Sequence, residues 1–202
     1  MFDIMSILGF KKEKPKTGVY LFSVFILMQV LIFILSWTST GYLSGSSVFN
    51  LLFYISISLL CIRGFLYENN KLVEVGATVL FIYAGVNGFI AIGNTNFTSG
   101  DALYVLNNIF NFLLNIFSAA AFSLYLAVWI RYDDLLAKLE KIFLMSSCLI
   151  AIIIFIIQLV ICFQNFDGSA SSSSLIFAMA FNNVGVIALY PAISFAFYYI
   201  DR

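Results

Sequence analysis

"GVYLFSVFILMQVLIFILSW", residues 18–37, contains no charged side chain. A helix needs about 20 mostly apolar residues to cross the hydrocarbon core of a bilayer. The stretch is too long for the apolar centre of a signal peptide. "SWTSTGYLSG" behind it is a poor cleavage site, so it reads as a retained membrane helix. Segments of the same character recur at about 48–66, 76–93, 103–130, 142–163 and 175–200. The third is short and contains Gly85, Asn87 and Gly88. The fourth and sixth are long enough to tilt or to protrude from the bilayer. The expected fold is all-α, a single domain over residues 1–202 built as a bundle of six transmembrane helices.

Composition points the same way. The chain is 62% hydrophobic and 10% charged, where a soluble domain carries roughly a quarter charged residues. A mean hydropathy of +1.03 leaves too little polar surface to keep a folded chain in water. The expected partner is therefore the lipid bilayer. The net charge is zero and no basic stretch is long, so nucleic acid is not expected to bind.

Orientation follows from the basic residues. Lys11, Lys12, Lys14 and Lys16 precede the first span. Arg63 and Lys71 flank the turn between spans two and three. Arg131, Lys138 and Lys141 lie between spans four and five, and Arg202 ends the chain. The other connections, "TSTGYLSGSS", "NTNFTSGDA" and "QNFDGSASSSS", have none. Six spans with N and C termini in the cytoplasm put every positive charge on one side, and an odd number breaks the pattern. Trp37 then belongs at the outer interface, and Trp129, Tyr132, Tyr198 and Tyr199 at the inner one. Residues 1–17 form a cytoplasmic or interfacial segment. The connections read as about 8–12 residues long, too short for a soluble domain, so function must lie among the helices or on the inner face.

Several function classes lack their residues. No Lys, Arg, Asp or Glu falls in the middle of a span, which disfavours proton pumps, ion-coupled carriers and retinal proteins. Histidine is absent, and no hydrolase, metal or phosphate-loop motif occurs. An enzyme, a metal and a cofactor are not expected. Cys61, Cys148 and Cys162 lie in apolar runs and read as small buried hydrophobes. "NFT" at 96–98 matches a glycosylation sequon but sits too near the membrane to be a good acceptor. "RYDDLLAKLEK", residues 131–141, can form about three helical turns, with Leu135, Leu136 and Leu139 on one side. It reads either as a helical extension beyond the membrane or as a cytoplasmic docking surface.

Asparagine is the unusual feature. "LNNIFNFLLNIFSAAAF", residues 106–122, places Asn107, Asn108, Asn111 and Asn115 in an otherwise apolar run. On a helix, steps of four keep side chains near one face. Asn107, Asn111, Asn115, Ala119, Ser123 and Ala127 follow that step, with Ser118 beside them. Span six is laid out similarly, with Asn182 and Asn183 followed by Ala188, Ala192 and Ala196, and Pro191 expected to kink it. Aligning the asparagines and aligning the small rows demand different offsets, so an internal repeat is not established. Amides unpaired in hydrocarbon cost several kcal/mol, so these faces, with Asn87 of span three, should meet protein or water. They serve as helix-packing contacts, or they line a cavity for an uncharged small molecule.

Six helices in about 200 residues without soluble domains is similar, in size and topology alone, to the substrate-binding subunits of energy-coupling-factor vitamin transporters. Those carry small-residue motifs in the first helix, whereas residues 18–37 contain no alanine, and no family is assigned. The expected function is a non-enzymatic membrane subunit packing through helices four and six, alongside other membrane subunits or as a homo-oligomer. The alternatives are a small permease or ligand-binding module for an uncharged solute, and a sensor signalling through 131–141.

Overall fold

The computed structural model describes residues 15–42, 44–93, 102–164 and 170–200, with the side chains of 39, 40, 162 and 170–184 excepted. Six helices make up this part: α1 (Pro15–Thr40), α2 (Gly45–Leu66), α3 (Asn70–Gly93), α4 (Ala102–Ile130), α5 (Asp134–Gln164) and α6 (Ala170–Tyr199). No strand occurs among the described residues. α1 to α5 are each long and apolar enough to cross a membrane, and the described side chains of α6 form a shorter apolar stretch, Gly185–Tyr199. By length and composition this is a multi-pass membrane protein. Residues 1–14 of the expected N-terminal segment and the 96–98 sequon lie outside the described residues, while residues 15–17 belong to α1.

Local chemistry sets where the helices stop. Pro15 opens α1, where its missing N–H removes nothing. Gly41, at φ +64°, closes it by donating its N–H to the Trp37 carbonyl at 2.9 Å. Ser44 caps α2, its hydroxyl accepting from the Ser47 N–H at 3.1 Å. α2 and α3 are joined only by Tyr67–Asn69. Asn69 ends one helix through its N–H to the Gly64 carbonyl at 2.8 Å, and begins the next by accepting from the Leu72 N–H at 3.3 Å. Asp133 caps α5, accepting from the N–H groups of Leu135 at 2.8 Å and Leu136 at 3.1 Å. The helices therefore overrun the spans expected from hydropathy, and these connections are three or four residues long rather than about 8–12. Capping, which a hydropathy window does not see, accounts for the difference. Residues 134–141 are the first two turns of α5 and only 131–133 form the turn.

Each helix packs on the next in chain order, α1 closes the ring against α6, and α3 meets α6 across the middle. α3 and α6 form the centre. Close approach depends on small residues facing large ones. A Cβ at Gly76 would run into the Cys61 sulfur, and one at Gly85 into the Phe122 ring. Two aromatic clusters fill the half of the bundle nearer the chain ends. Phe65 touches Phe22 at 6.0 Å, Phe195 at 5.9 Å and Tyr199 at 4.9 Å. Phe81 meets Phe122 at 5.9 Å, Tyr125 at 5.3 Å and Phe197 at 5.8 Å. Hydrogen bonds tie the helices laterally. Thr78 and Tyr125 share one at 2.7 Å, and the buried Tyr190 hydroxyl donates to Ser118 Oγ at 2.7 Å. Outside, Leu27, Leu52, Leu59, Ile82 and Ile156 are among the exposed apolar side chains, as lipid-facing surfaces require.

Lys16, Arg63, Lys71, Arg131, Lys138 and Lys141 all fall at one end of the bundle, at the start of α1, the α2–α3 turn and the α4–α5 turn. The end of α6 lies there too, since Tyr199 packs on Phe65. The Arg63 guanidinium rests over the Tyr67 ring at 5.9 Å. These side chains make this the basic end of the bundle.

Candidate functional site

The asparagine row of α4 does not keep to one face, because steps of four advance about 40° beyond a full turn each time. Asn107, Asn111 and Asn115 are half-buried, Ala119 is buried, Ser123 is exposed and Ala127 is half-buried. The fully packed face of α4 is instead Leu114, Ser118, Ala121, Phe122 and Tyr125. Asn111 turns back on its own helix, donating to the Asn107 carbonyl at 2.9 Å, and Ser123 likewise donates to the Ala119 carbonyl at 2.8 Å. The Asn107 side-chain oxygen is buried without a hydrogen bond. The Asn115 carbonyl lies against Gly88, where a Cβ would come within 3.2 Å. Asn108 is half-buried and Asn87 is exposed on α3. In α6, Ala192 and Ala196 are fully buried and Ala188 is half-buried. The side chains of Asn182 and Asn183 lie outside the described residues. Leu135 is exposed, while Leu136 and Leu139 are half-buried against the bundle.

Polar groups other than these asparagines gather around a cavity. Between α1, α2 and α6, in the half away from the basic end, lies a cavity of about 310 Å³. That is at the lower end of the range for ligand pockets, roughly 300–1,000 Å³. Gln29 and Ser36 line it from α1, and Ser47, Asn50 and Tyr54 from α2. All five are uncharged hydrogen-bonding side chains. α6 contributes Gly185, Val186 and Leu189.

Neighbours hold this lining in place. Asn50 Oδ1 accepts from the Tyr83 hydroxyl at 2.9 Å, and the Tyr54 ring is held edge-on by Phe25 at 5.4 Å and Tyr83 at 5.5 Å. Gln29 lies near the middle of α1. A Cβ on Gly185 would come within 2.6 Å of its Nε2, so the space occupied by the amide exists because residue 185 has no side chain. Phe25, fully buried, and Leu189 form apolar walls. Farther toward the basic end the Phe22, Phe65 and Phe195 cluster fills the bundle.

Sequence reading passed over Gln29 and Asn50 because each is a single amide in an apolar span. Their partners, Tyr54, Tyr83 and Gly185, come from three different helices. The one available signal was Gln29 itself, a lone amide at mid-membrane depth. No protein-family model, curated protein or solved structure matches this chain.

Proposed function

We propose that the chain is a non-enzymatic membrane protein that binds a small uncharged polar molecule between α1, α2 and α6. The reading rests on one observation: five uncharged donor and acceptor side chains surround a space large enough for a ligand. Such groups both donate and accept, and so recognise neutral solutes by hydrogen bonding. With the described Lys and Arg side chains at one end, the positive-inside tendency favours cytoplasmic termini and a cavity in the outer half. The packed aromatic cluster beneath it favours a binding site entered from outside over an open channel. Transport requires a second conformation that parts Phe22, Phe65 and Phe195.

The test uses purified protein in maltoside and a panel of polyols, amides and nucleosides, scored by shift in melting temperature and by uptake into proteoliposomes. At least one class should raise the melting temperature. Gln29→Leu, and Gly185→Ala which displaces the Gln29 amide, should abolish that shift while the chain still folds. No response across the panel, or Leu and Ala variants that respond unchanged, refutes the reading.

A second reading, an assembly subunit, draws support from Asn87. It is exposed beside Val86, Phe89 and Ile90, all exposed as well. An amide facing lipid there would go unpaired, which favours a contact with another helix through α3. This shifts the expected interface away from the small rows of α6, whose Ala192 and Ala196 are already buried inside the chain. Asn87→Leu should then change the particle size in mild detergent, and an unchanged size rejects an α3 interface.

A further inference from the structure

The cavity between α1, α2 and α6 has two unlike sides. Its hydrogen-bonding side chains, Gln29, Ser36, Ser47, Asn50 and Tyr54, all come from α1 and α2. The described residues of α6 offer only Gly185, Val186 and Leu189. A polyol carries hydroxyls on every side and would set some of them against that apolar wall, where they lose hydrogen bonds. The lining suits a ligand with a polar edge and an apolar face. Depth divides the polar groups again. At a rise of about 1.5 Å per residue, Gln29 lies about 16 Å from the end of α1 at Thr40, and Tyr54 about 14 Å from the start of α2 at Gly45. Ser36, Ser47 and Asn50 lie within about 8 Å of those ends. Aromatic rings accompany the deep pair. Phe25 and Phe33 border the same space, and the Phe25 and Tyr54 rings stand at 86° to each other. A flat molecule stacked on one of these rings meets the other edge to face, and both contacts are favoured between aromatic groups.

We infer that the ligand is a planar heterocycle with a lactam edge, a ring N–H beside a carbonyl, and a hydroxylated substituent, as in a nucleoside. The Gln29 amide presents a donor and an acceptor side by side, and so meets such an edge with two parallel hydrogen bonds, as glutamine does on a nucleobase. The ring stacks among Phe25, Phe33 and Tyr54, because every base has an apolar π face. The hydroxylated part reaches toward Ser36, Ser47 and Asn50. Tyr83, bonded to Asn50 Oδ1 at 2.9 Å, fixes that amide, whose N–H groups suit hydroxyl oxygens. Gly185 keeps the Gln29 amide in place, since a Cβ there would come within 2.6 Å of Nε2. The assignment rests on this cavity binding a neutral solute and narrows that solute to one class.

Equilibrium dialysis of the full-length protein in maltoside measures binding of radiolabelled uridine, inosine and sorbitol in turn, with 3-methyluridine as a competitor of uridine. The methyl group of 3-methyluridine replaces the ring N–H, so the compound keeps ring and ribose and loses the lactam edge. Uridine or inosine should bind saturably, and sorbitol should not. If uridine is the ligand, 3-methyluridine should compete about tenfold more weakly, and 1-methylinosine serves in the same way for inosine. These comparisons use the unaltered protein and so hold whether or not a variant folds. In Gln29→Leu, affinity for the nucleoside should fall by about tenfold and its advantage over the methylated compound should vanish. Sorbitol binding without either nucleoside overturns the lactam assignment and leaves the neutral-solute reading standing. Binding of none of the three overturns both. A methylated nucleoside that competes as well as its parent, or an advantage that persists in Gln29→Leu, overturns the assignment alone.

Discussion

Pro191 sits inside α6 and has no N–H to give the carbonyl four residues back, that of Ile187. The helix nevertheless continues to Tyr199. The Cys148 thiol, from α5, donates to the Ile187 carbonyl at 3.8 Å. A cysteine that reads from sequence as a small apolar filler therefore also partners a carbonyl that a proline has released. Cys148→Ala should lower stability in detergent, and about 0.5 kcal/mol of the loss should depend on Pro191. Thermal unfolding of Cys148→Ala, Pro191→Ala and the double variant measures that coupling. Strict additivity would mean that the thiol contributes packing alone.

Among elements, α2 and α3 approach as closely as they do because Gly76 faces Cys61 and Gly64 faces Val73. In a bilayer, lipid is as apolar as leucine, so helices associate through close packing and hydrogen bonds rather than by escape from water. Gly76→Ala should therefore destabilise the pair by about 1–3 kcal/mol, through overpacking. Cys61→Ala removes the sulfur that the new methyl group meets. The double variant should unfold above the temperature of Gly76→Ala alone. If it is no more stable than that single variant, the cysteine is not the obstacle. The hydrogen bonds Thr78–Tyr125, Tyr190–Ser118 and Tyr83–Asn50 cross helix pairs at other points, each worth about 0.6–2 kcal/mol in membranes. Tyrosine supplies a long reach with a polar tip. The asparagines of α4 are shorter, and Asn111 bonds within its own helix.

For the whole molecule, sidedness is the quantity to measure. A single cysteine placed at Asp101 or Asp167 in a cysteine-free background should react with an impermeant thiol reagent applied to intact cells. One at Lys138 should react only after the membrane is opened. The reverse pattern would invert the molecule and move the neutral-solute cavity to the cytoplasmic face.

Number of helices among the described residues, their order and the shared end of the described basic residues were legible in the chain, since spans follow from composition summed over some twenty neighbours and the turns between them alternate sides. Local averages of this kind need no knowledge of partners. The sites were not legible in the same way. Asn107, Asn111 and Asn115 form a conspicuous row, yet the 3.6-residue turn carries successive fours around the helix. Gln29, Asn50 and Tyr54 are inconspicuous singly and become a cavity only when α6 brings Gly185 against α1. Glu140 stands in a charged segment and is nevertheless buried. Hydropathy is a property of a segment, and a binding site is a property of the space between segments. Only packing, which depends on side-chain size and on which helix turns which face inward, sets that space.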